Sequence, residues 1–228
     1  MNTEVFTGKA EVYAKARPGY PQQAIDYICT LVPDHAVFAD IGAGTGKLTL
    51  PLAQRGYQIY AVEPNTDMRS QLTEVLAPYP NVHIVAGTAE TTTLTEHSVD
   101  AVICAQALHW FDLHLFREEC RRIGKADGIA IAVYNTMPGG NSEVNCCTST
   151  SLFFVHPARQ TFINPIAYTR ENWLAYRTSH SHDPLPSDPD YAAHIAQMNA
   201  IFDRDSVNGL LHRNAVTEVY SEKIADLL

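Results

Sequence analysis

The sequence predicts an α/β fold built on a doubly wound, mostly parallel sheet. Three observations carry that reading. Short apolar runs alternate with stretches of helical period between residues 36 and 135. The first run, V-F-A-D-I, holds an acid near its tip (Asp40) and leads into glycines at alternate positions, Gly42, Gly44 and Gly46, before a helical pattern. The run Val99–Cys104 is almost continuously apolar, as a strand covered on both faces should be.

The elements follow in order. Pro21 suits the first turn of a helix reaching Leu31, with Ile25, Ile28 and Cys29 inward. Pro33 and Asp34 turn the chain into a strand over Val37–Ile41. A helix is expected over Thr45–Arg55, with Leu48, Leu52 and Ala53 on one face and Gly56 as its C-cap. A second strand spans Gln58–Val62. The helix Thr66–Leu76 is stopped by Pro78 and Pro80, and a third strand covers Val82–Ala86. After strand Val99–Cys104, Asp112 is a good N-cap for a helix to Ile123. Asp127 and Gly128 are read as a turn into strand Ile129–Tyr134. Past Asn135 the alternation breaks. Met137–Gly140 and Asn141–Ser151 are polar and contain glycine. Phe162–Thr169 reads as a strand, Arg170–Thr178 as a helix, Ser179–Pro189 as a loop, Tyr191–Phe202 as an amphipathic helix and Val216–Ile224 as an edge strand.

The 228 residues suffice for one sizeable domain over 1–228, with a flap and helix (1–35), a core (36–135), a cover (136–208) and a C-terminal edge strand (209–228). No run approaches the ~20 apolar residues of a membrane span, and the N-terminus lacks a signal pattern. Cys29, Cys104, Cys120, Cys146 and Cys147 are odd in number and scattered, which reads as reduced thiols in a cytoplasm. The Cys146–Cys147 pair lacks a second pair at ligand spacing; His180 and His182, with His156 in the same C-terminal segment and Asp183 nearby, form an H-x-H plus an acid that can bind metal but is usually solvated in a Ser/Pro loop, and no metal is expected. Net charge is −9, and no basic stripe exists to neutralise a phosphate backbone. Arg121 and Arg122, within Arg117–Lys125, suit a solvated helix face. Neither nucleic acid nor a membrane is an expected partner, a small-molecule substrate is, and the oligomeric state is unknown.

The glycine turn narrows the ligand. A dinucleotide fingerprint, G-x-G-x-x-G, would need its third glycine where Lys47 stands. An acid at the strand tip repels a pyrophosphate and suits cationic or hydroxyl groups. S-adenosylmethionine has an ammonium group, a sulfonium, a ribose and no phosphate. Glu63 ends the second strand about 20 residues after the turn, the place for an acid that takes ribose hydroxyls. It fits NAD as well, and it could instead cap the helix starting near Asn65.

The segments D-I-G-A-G-T-G-K-L-T, A-V-E-P-N, G-T-A-E and A-Q-A-L-H-W-F-D resemble class I S-adenosylmethionine-dependent methyltransferases. The branch that includes methyltransferase type 11 and trans-aconitate methyltransferase-like proteins is the most similar, and F-T-G-K-A-E-V-Y-A-K-A-R-P-G-Y-P (Phe6–Pro21) resembles it too. The resemblance is good over Phe6–Tyr134 and weaker beyond. It implies a Rossmann-like, mostly parallel seven-stranded sheet with an antiparallel C-terminal strand and a helical or loop cover. It also implies methyl transfer to a small molecule bearing a carboxylate or hydroxyl. Alternatives are a catalytically silent cofactor-binding regulatory module and a nicotinamide oxidoreductase.

On this reading Asp40 and the backbone of Gly42, Ala43, Gly44 and Gly46 hold the methionine end, and Glu63 and Pro64 the ribose. Thr88, Ala89 and Glu90 would face adenine. Thr88 replaces an acid usual in the family, and Glu90 either substitutes for it or is a solvated charge. Met68 either packs on adenine or fills the core. Ala105 and Gln106 follow the fourth strand, nearest the sulfonium. His109 is a candidate proton acceptor or substrate contact, or else a structural group of its loop. Trp110 walls the pocket or anchors the next helix. Tyr13, Arg17 and Tyr20 would form a flap, and Tyr134 and Asn135 at the fifth strand's tip could face substrate.

Overall fold

The computed structural model describes residues 16–137, 142–179, 183, 184 and 186–227, without the side chains of 142–147. Its elements are α1 (Gln22–Thr30), β1 (Val37–Ile41), α2 (Thr49–Ala53), β2 (Gln58–Val62), α3 (Thr66–Leu76), β3 (Val82–Val85), β4 (Val99–Ala105), α4 (Leu113–Ile123), β5 (Gly124–Thr136), α5 (Ser142–Phe153), β6 (Ala158–Tyr168), α6 (Arg170–Thr178), α7 (Tyr191–Asp205) and β7 (Leu211–Lys223). One seven-stranded sheet has the order β3-β2-β1-β4-β5-β7-β6. Strands β1 to β5 are mutually parallel. β7 runs antiparallel to both β5 and β6. The doubly wound, mostly parallel sheet with an antiparallel C-terminal strand is thus observed.

Alternation along the central strands divides the core. Ala101 and Ile103 of β4, with Ile131 and Val133 of β5, meet Ala24, Ile25 and Ile28 of α1 and Leu52 of α2. Val102 and Cys104, with Ala130, Ala132 and Tyr134, meet Phe116, Cys120 and Ile123 of α4. Both faces are therefore covered, the burial that a parallel sheet requires. A smaller cluster of Tyr168, Trp173, Met198, Phe202 and Leu211 ties α6 and α7 to the C-terminal strands, and Trp173 Nε1 donates to the Met198 carbonyl at 2.9 Å.

Four expectations need correction. The last strand is not at the edge: β7 lies between β5 and β6, with Leu211, Ala215, Thr217 and Val219 fully or nearly fully buried, and β6 forms the edge. Strand propensity alone cannot say which of two adjacent antiparallel strands is outermost. The segment at Asp127 and Gly128 belongs to β5. The β4–β5 register jumps there, from Val99↔Gly124 to Ala101↔Ile129, and Lys125 in the displaced stretch pairs with Asp100 at 2.8 Å. The helix after the glycines starts at Thr49, not Thr45, because the chain from Gly42 to Leu48 is a run of turns. Ser142–Phe153, too polar to suggest an element, is a helix.

The winding positions the site. From β1 the chain moves outward to β2 and β3, then crosses back to β4 and β5. The direction reverses between β1 and β4, so the loops after these two strands part and leave a crevice, the usual ligand position in open parallel sheets.

Candidate functional site

The crevice is a cleft of about 800 Å³ including its open mouth. Its floor is the β1 loop: Asp40, Gly42, Ala43, Gly44, Thr45, Lys47 and Leu48. Ala105 and Gln106 after β4 form one wall and Arg17, Pro18 and Tyr20 another, while Asn135, Met137, Ile166, Tyr176 and Ala215 close it from the cover side.

Backbone geometry makes room. Gly44 has φ of +58°, and a Cβ there would touch nothing nearer than the Gly42 carbonyl at 3.9 Å, so the loop leaves space open above it. Gly42, with φ of +70°, serves a different contact. A Cβ there would lie 2.9 Å from the Ala107 Cβ, so glycine lets the β4 loop lie against the β1 loop. Gln106 itself has φ of +56°. It is held there by its amide on the Val133 carbonyl (2.9 Å) and its Nε2 on the Asn135 carbonyl (2.9 Å). A non-glycine residue locked in this region is strain of the kind found at ligand sites.

Asp40 is 1% exposed and accepts from Thr49 Oγ1 at 2.6 Å. Its other oxygen has no partner among the described residues, and neither has Thr45 Oγ1. Burial, with Glu63 nearby, pushes the Asp40 pKa up to about 7 against the pull of Thr49. An orphaned carboxylate oxygen in a cleft wall fits a cationic ligand group, and orphaned buried polar atoms are uncommon enough to need such an explanation. Glu63 spends one oxygen on the Gly44 amide (2.8 Å) and the other on the Asn65 amide (2.9 Å). The Asn65 contact is the capping role; Asn65 itself caps α3 through the Met68 amide at 3.0 Å. Each carboxylate oxygen retains a further lone pair, so ribose hydroxyls remain acceptable donors. Burial raises the pKa of Glu63.

The remaining candidates divide. Arg17, Tyr20, Ala105, Gln106 and Asn135 converge on the cleft. Arg17 donates to the Ser179 carbonyl (3.3 Å) and lies over the Tyr176 ring at 5.5 Å. His109 sits in a short 3-10 turn, tilted against Trp110 with 5.1 Å between ring centroids, and neither lines the cleft. His109 is exposed at the surface, and partial desolvation lowers its pKa, with the Arg17 guanidinium adding to the effect. Tyr134 does not face the cleft. It is 2% exposed, points to the α4 face of the sheet and packs edge-on against Tyr220, because side chains alternate and Asn135 takes the other face. Met68 and Ala89 are buried outside the cleft lining, as Pro64 and Thr88 also lie outside it. Thr88 pairs through its backbone with Thr91, and Glu90 accepts from the Asp112 amide at 3.0 Å, tying this loop to the start of α4. Tyr13, His180, His182, Cys146 and Cys147 fall outside the described residues or side chains. His156 gives its amide to Glu222 at 2.6 Å, and no metal-holding group of His, Cys, Asp or Glu occurs among the described residues. On α4, Arg117 and Arg121 donate to the Phe153 and Leu227 carbonyls, and Arg122 pairs with Glu119 at 2.7 Å.

Sequence reading missed Thr45, Tyr176 and Asn164, and saw Lys47 only as a glycine that was absent. Asn164 Nδ2 donates to the Gly19 carbonyl (3.0 Å) and to Asn135 Oδ1 (3.1 Å). It joins β6 to the N-terminal wall across 145 residues of chain, a separation no local pattern reveals.

Comparison with known proteins gives a consistent result. A methyltransferase-domain family model matches residues 39–132, the stretch from β1 into β5. An uncharacterized methyltransferase of Mycobacterium tuberculosis is 38% identical over 131 residues, covering 58% of this chain and 52% of the relative. An uncharacterized methyltransferase-like protein of Schizosaccharomyces pombe is 36% identical over 139 residues, 60% of this chain and 53% of the relative. The chain thus spans about half the length of the curated relatives it matches. Among solved structures, an S-adenosylmethionine-dependent methyltransferase of Aquifex aeolicus superposes with a TM-score of 0.51 at 16% identity, over 63% of this chain and 86% of that one. The YcgJ protein of Bacillus subtilis gives 0.56 at 18% identity, over 88% and 97%. At such identities these two show a shared fold.

Proposed function

From a core that resembles the class I S-adenosylmethionine-dependent methyltransferases in sequence and fold, we propose that this protein transfers a methyl group from S-adenosylmethionine to a small-molecule acceptor bearing a carboxylate or hydroxyl. One observation carries the choice of cofactor: the orphaned, fully buried Asp40 oxygen beside the open floor at Gly44. A carboxylate there binds an ammonium group and rejects the pyrophosphate of a dinucleotide.

When bound, the cofactor supplies a methyl carbon already activated by its sulfonium. The chain's task is to place and to dry. Asp40 and the β1 loop would hold the amino-acid end and Glu63 the ribose. Gln106, fixed by Val133 and Asn135, would present its side chain beside the reacting atoms. Pro18, Leu48, Met137 and Ile166 add apolar lining that would exclude water around a bound ligand. Alignment of two reactants contributes about 7–11 kcal/mol in favourable cases, more than the ~10²–10⁴-fold of a general base. His109 lies outside the cleft lining, and its lowered pKa favours the neutral imidazole.

Isothermal titration tests the reading. Saturable binding of S-adenosylmethionine with no binding of NAD at the same concentration is the expected result; binding of NAD alone would end the proposal.

A further inference from the structure

The polar groups of the cleft fall into two sets. The floor carries Asp40, Thr45 and Lys47, with Glu63 behind it on the Gly44 amide. On the cofactor reading just given, on which this inference rests, the floor serves the cofactor. The acceptor is left with the β4 loop, the end of β5, the N-terminal wall and the cover.

Polar side chains there are almost all committed. Asn135 Nδ2 donates to the Gly19 carbonyl at 3.0 Å, and its Oδ1 accepts from Asn164 Nδ2 at 3.1 Å and from Thr217 Oγ1 at 2.5 Å. Arg17 is engaged with the Ser179 carbonyl and the Tyr176 ring, and Tyr20 and Tyr176 have partners as well. Pro18, Ala105, Met137, Ile166 and Ala215 supply apolar lining between them.

Gln106 is the exception. Its side chain meets the Asn135 backbone carbonyl at 2.9 Å. A carbonyl only accepts, so chemistry fixes which end of the amide is nitrogen. The second N–H of Nε2 and the whole of Oε1 have no partner among the described residues. The residue is also held at φ of +56° by its own amide on the Val133 carbonyl, so it has little freedom to lose when a ligand arrives. Its uncommitted edge offers one donor and one acceptor on the same planar group. A hydroxyl donates and accepts at once and can use both. A carboxylate only accepts, and would set its lone pairs against Oε1. An ammonium only donates, and would leave the N–H unmet.

We infer that the methyl acceptor is a neutral alcohol or phenol on an apolar body, its hydroxyl held by the N–H and Oε1 of Gln106. Gln106 is then the specificity-determining residue, and it selects the hydroxyl over the carboxylate.

A matched trio of probes tests this: 3-phenylpropanol, its methyl ether and 3-phenylpropionate. Each is titrated by NMR onto the complex with S-adenosylhomocysteine, which has no methyl to give, so binding is read without turnover. In the wild-type complex the alcohol should bind about tenfold tighter than the ether and the acid, the worth of about one net hydrogen bond. In Gln106→Leu the alcohol and the ether should bind alike, with affinity for S-adenosylhomocysteine kept within about threefold. A wall that had merely loosened would weaken all three probes together and leave their ratios as they were. An alcohol no tighter than its ether, an acid that binds best, no binding by any of the three, or a preference that survives Gln106→Leu each overturns the inference. Failure of the wild-type protein to bind S-adenosylhomocysteine would instead sink the cofactor reading, and this inference with it. Circular dichroism melts confirm that the variant is folded.

Discussion

Asp40 couples stability to ligand binding at a single side chain. Its carboxyl is raised from 3.8 to about 7 in the folded, cofactor-free protein. The folded state therefore holds a proton that the unfolded chain gives up. The stabilisation is fully present below pH 3.8, declines as pH rises toward about 7, and is gone above it. Asp40→Asn removes the ionisation while keeping an oxygen for Thr49. In chemical denaturation at pH 8 without cofactor, the variant should be more stable than the wild type, and the gap should narrow as pH falls from about 7 and close near pH 3.8. Binding should respond oppositely. Wild-type affinity for S-adenosylmethionine should fall as pH drops below about 7, whereas Asp40→Asn should bind about tenfold or more weakly at pH 7.5, with little slope between pH 5.5 and 7.5. A variant less stable than wild type at pH 8 would show that the orphaned oxygen carries no desolvation penalty. Asp40 was legible because an acid two residues before a glycine turn has few uses. The place of Lys47 in the cleft lining was not, since a sequence shows a lysine in a motif without showing that the helix begins only at Thr49 and leaves it in a turn.

At the scale of elements, β1 to β5 and their helices could be read from periodicity because each buries a face against its sequence neighbours. The C-terminal third resisted, and Asn164 shows why. Its partners, Gly19 and Asn135, come from the N-terminal wall and the end of β5, and Asn135 Oδ1 also accepts from Thr217 of β7 at 2.5 Å. Three strands and the wall meet in one amide network set by tertiary register, so it leaves no trace in local pattern. The network continues through the Asn135 carbonyl to Gln106, and it fixes the wall that carries Arg17 and Tyr20. Asn164→Ala would leave the Gly19 carbonyl with one donor fewer, a change of roughly 1–3 kcal/mol where the group is buried. The expected outcome is local. Hydrogen exchange across residues 17–21 should quicken by about tenfold, and affinity for the cofactor should drop, while exchange in β1 and β4 stays as in the wild type. Equal acceleration throughout the sheet would mean that Asn164 supports the whole fold and not the wall.

For the molecule as a whole, the cleft exists only where distant segments meet: the β1 loop, the β4 loop, the N-terminal wall, the end of β5, β6, α6 and β7 all line it. The unfolded chain can reproduce none of this, so a ligand of the cleft must bind the native state alone and raise stability by mass action. At a free concentration of one hundred times Kd that contribution is about 2.7 kcal/mol. For a chain of this size each kcal/mol moves Tm by roughly 2–4 °C. S-adenosylmethionine should therefore raise the midpoint of thermal unfolding by roughly 5–11 °C, and the shift should grow with the logarithm of its concentration. Asp40→Asn should need about tenfold more cofactor for the same shift, because it removes one charged contact from the amino-acid end. NAD, whose pyrophosphate would meet Asp40, should produce no shift. A midpoint that moves with NAD, or that stays fixed while S-adenosylmethionine is raised to millimolar levels, would mean that the floor of this cleft is built for a different ligand.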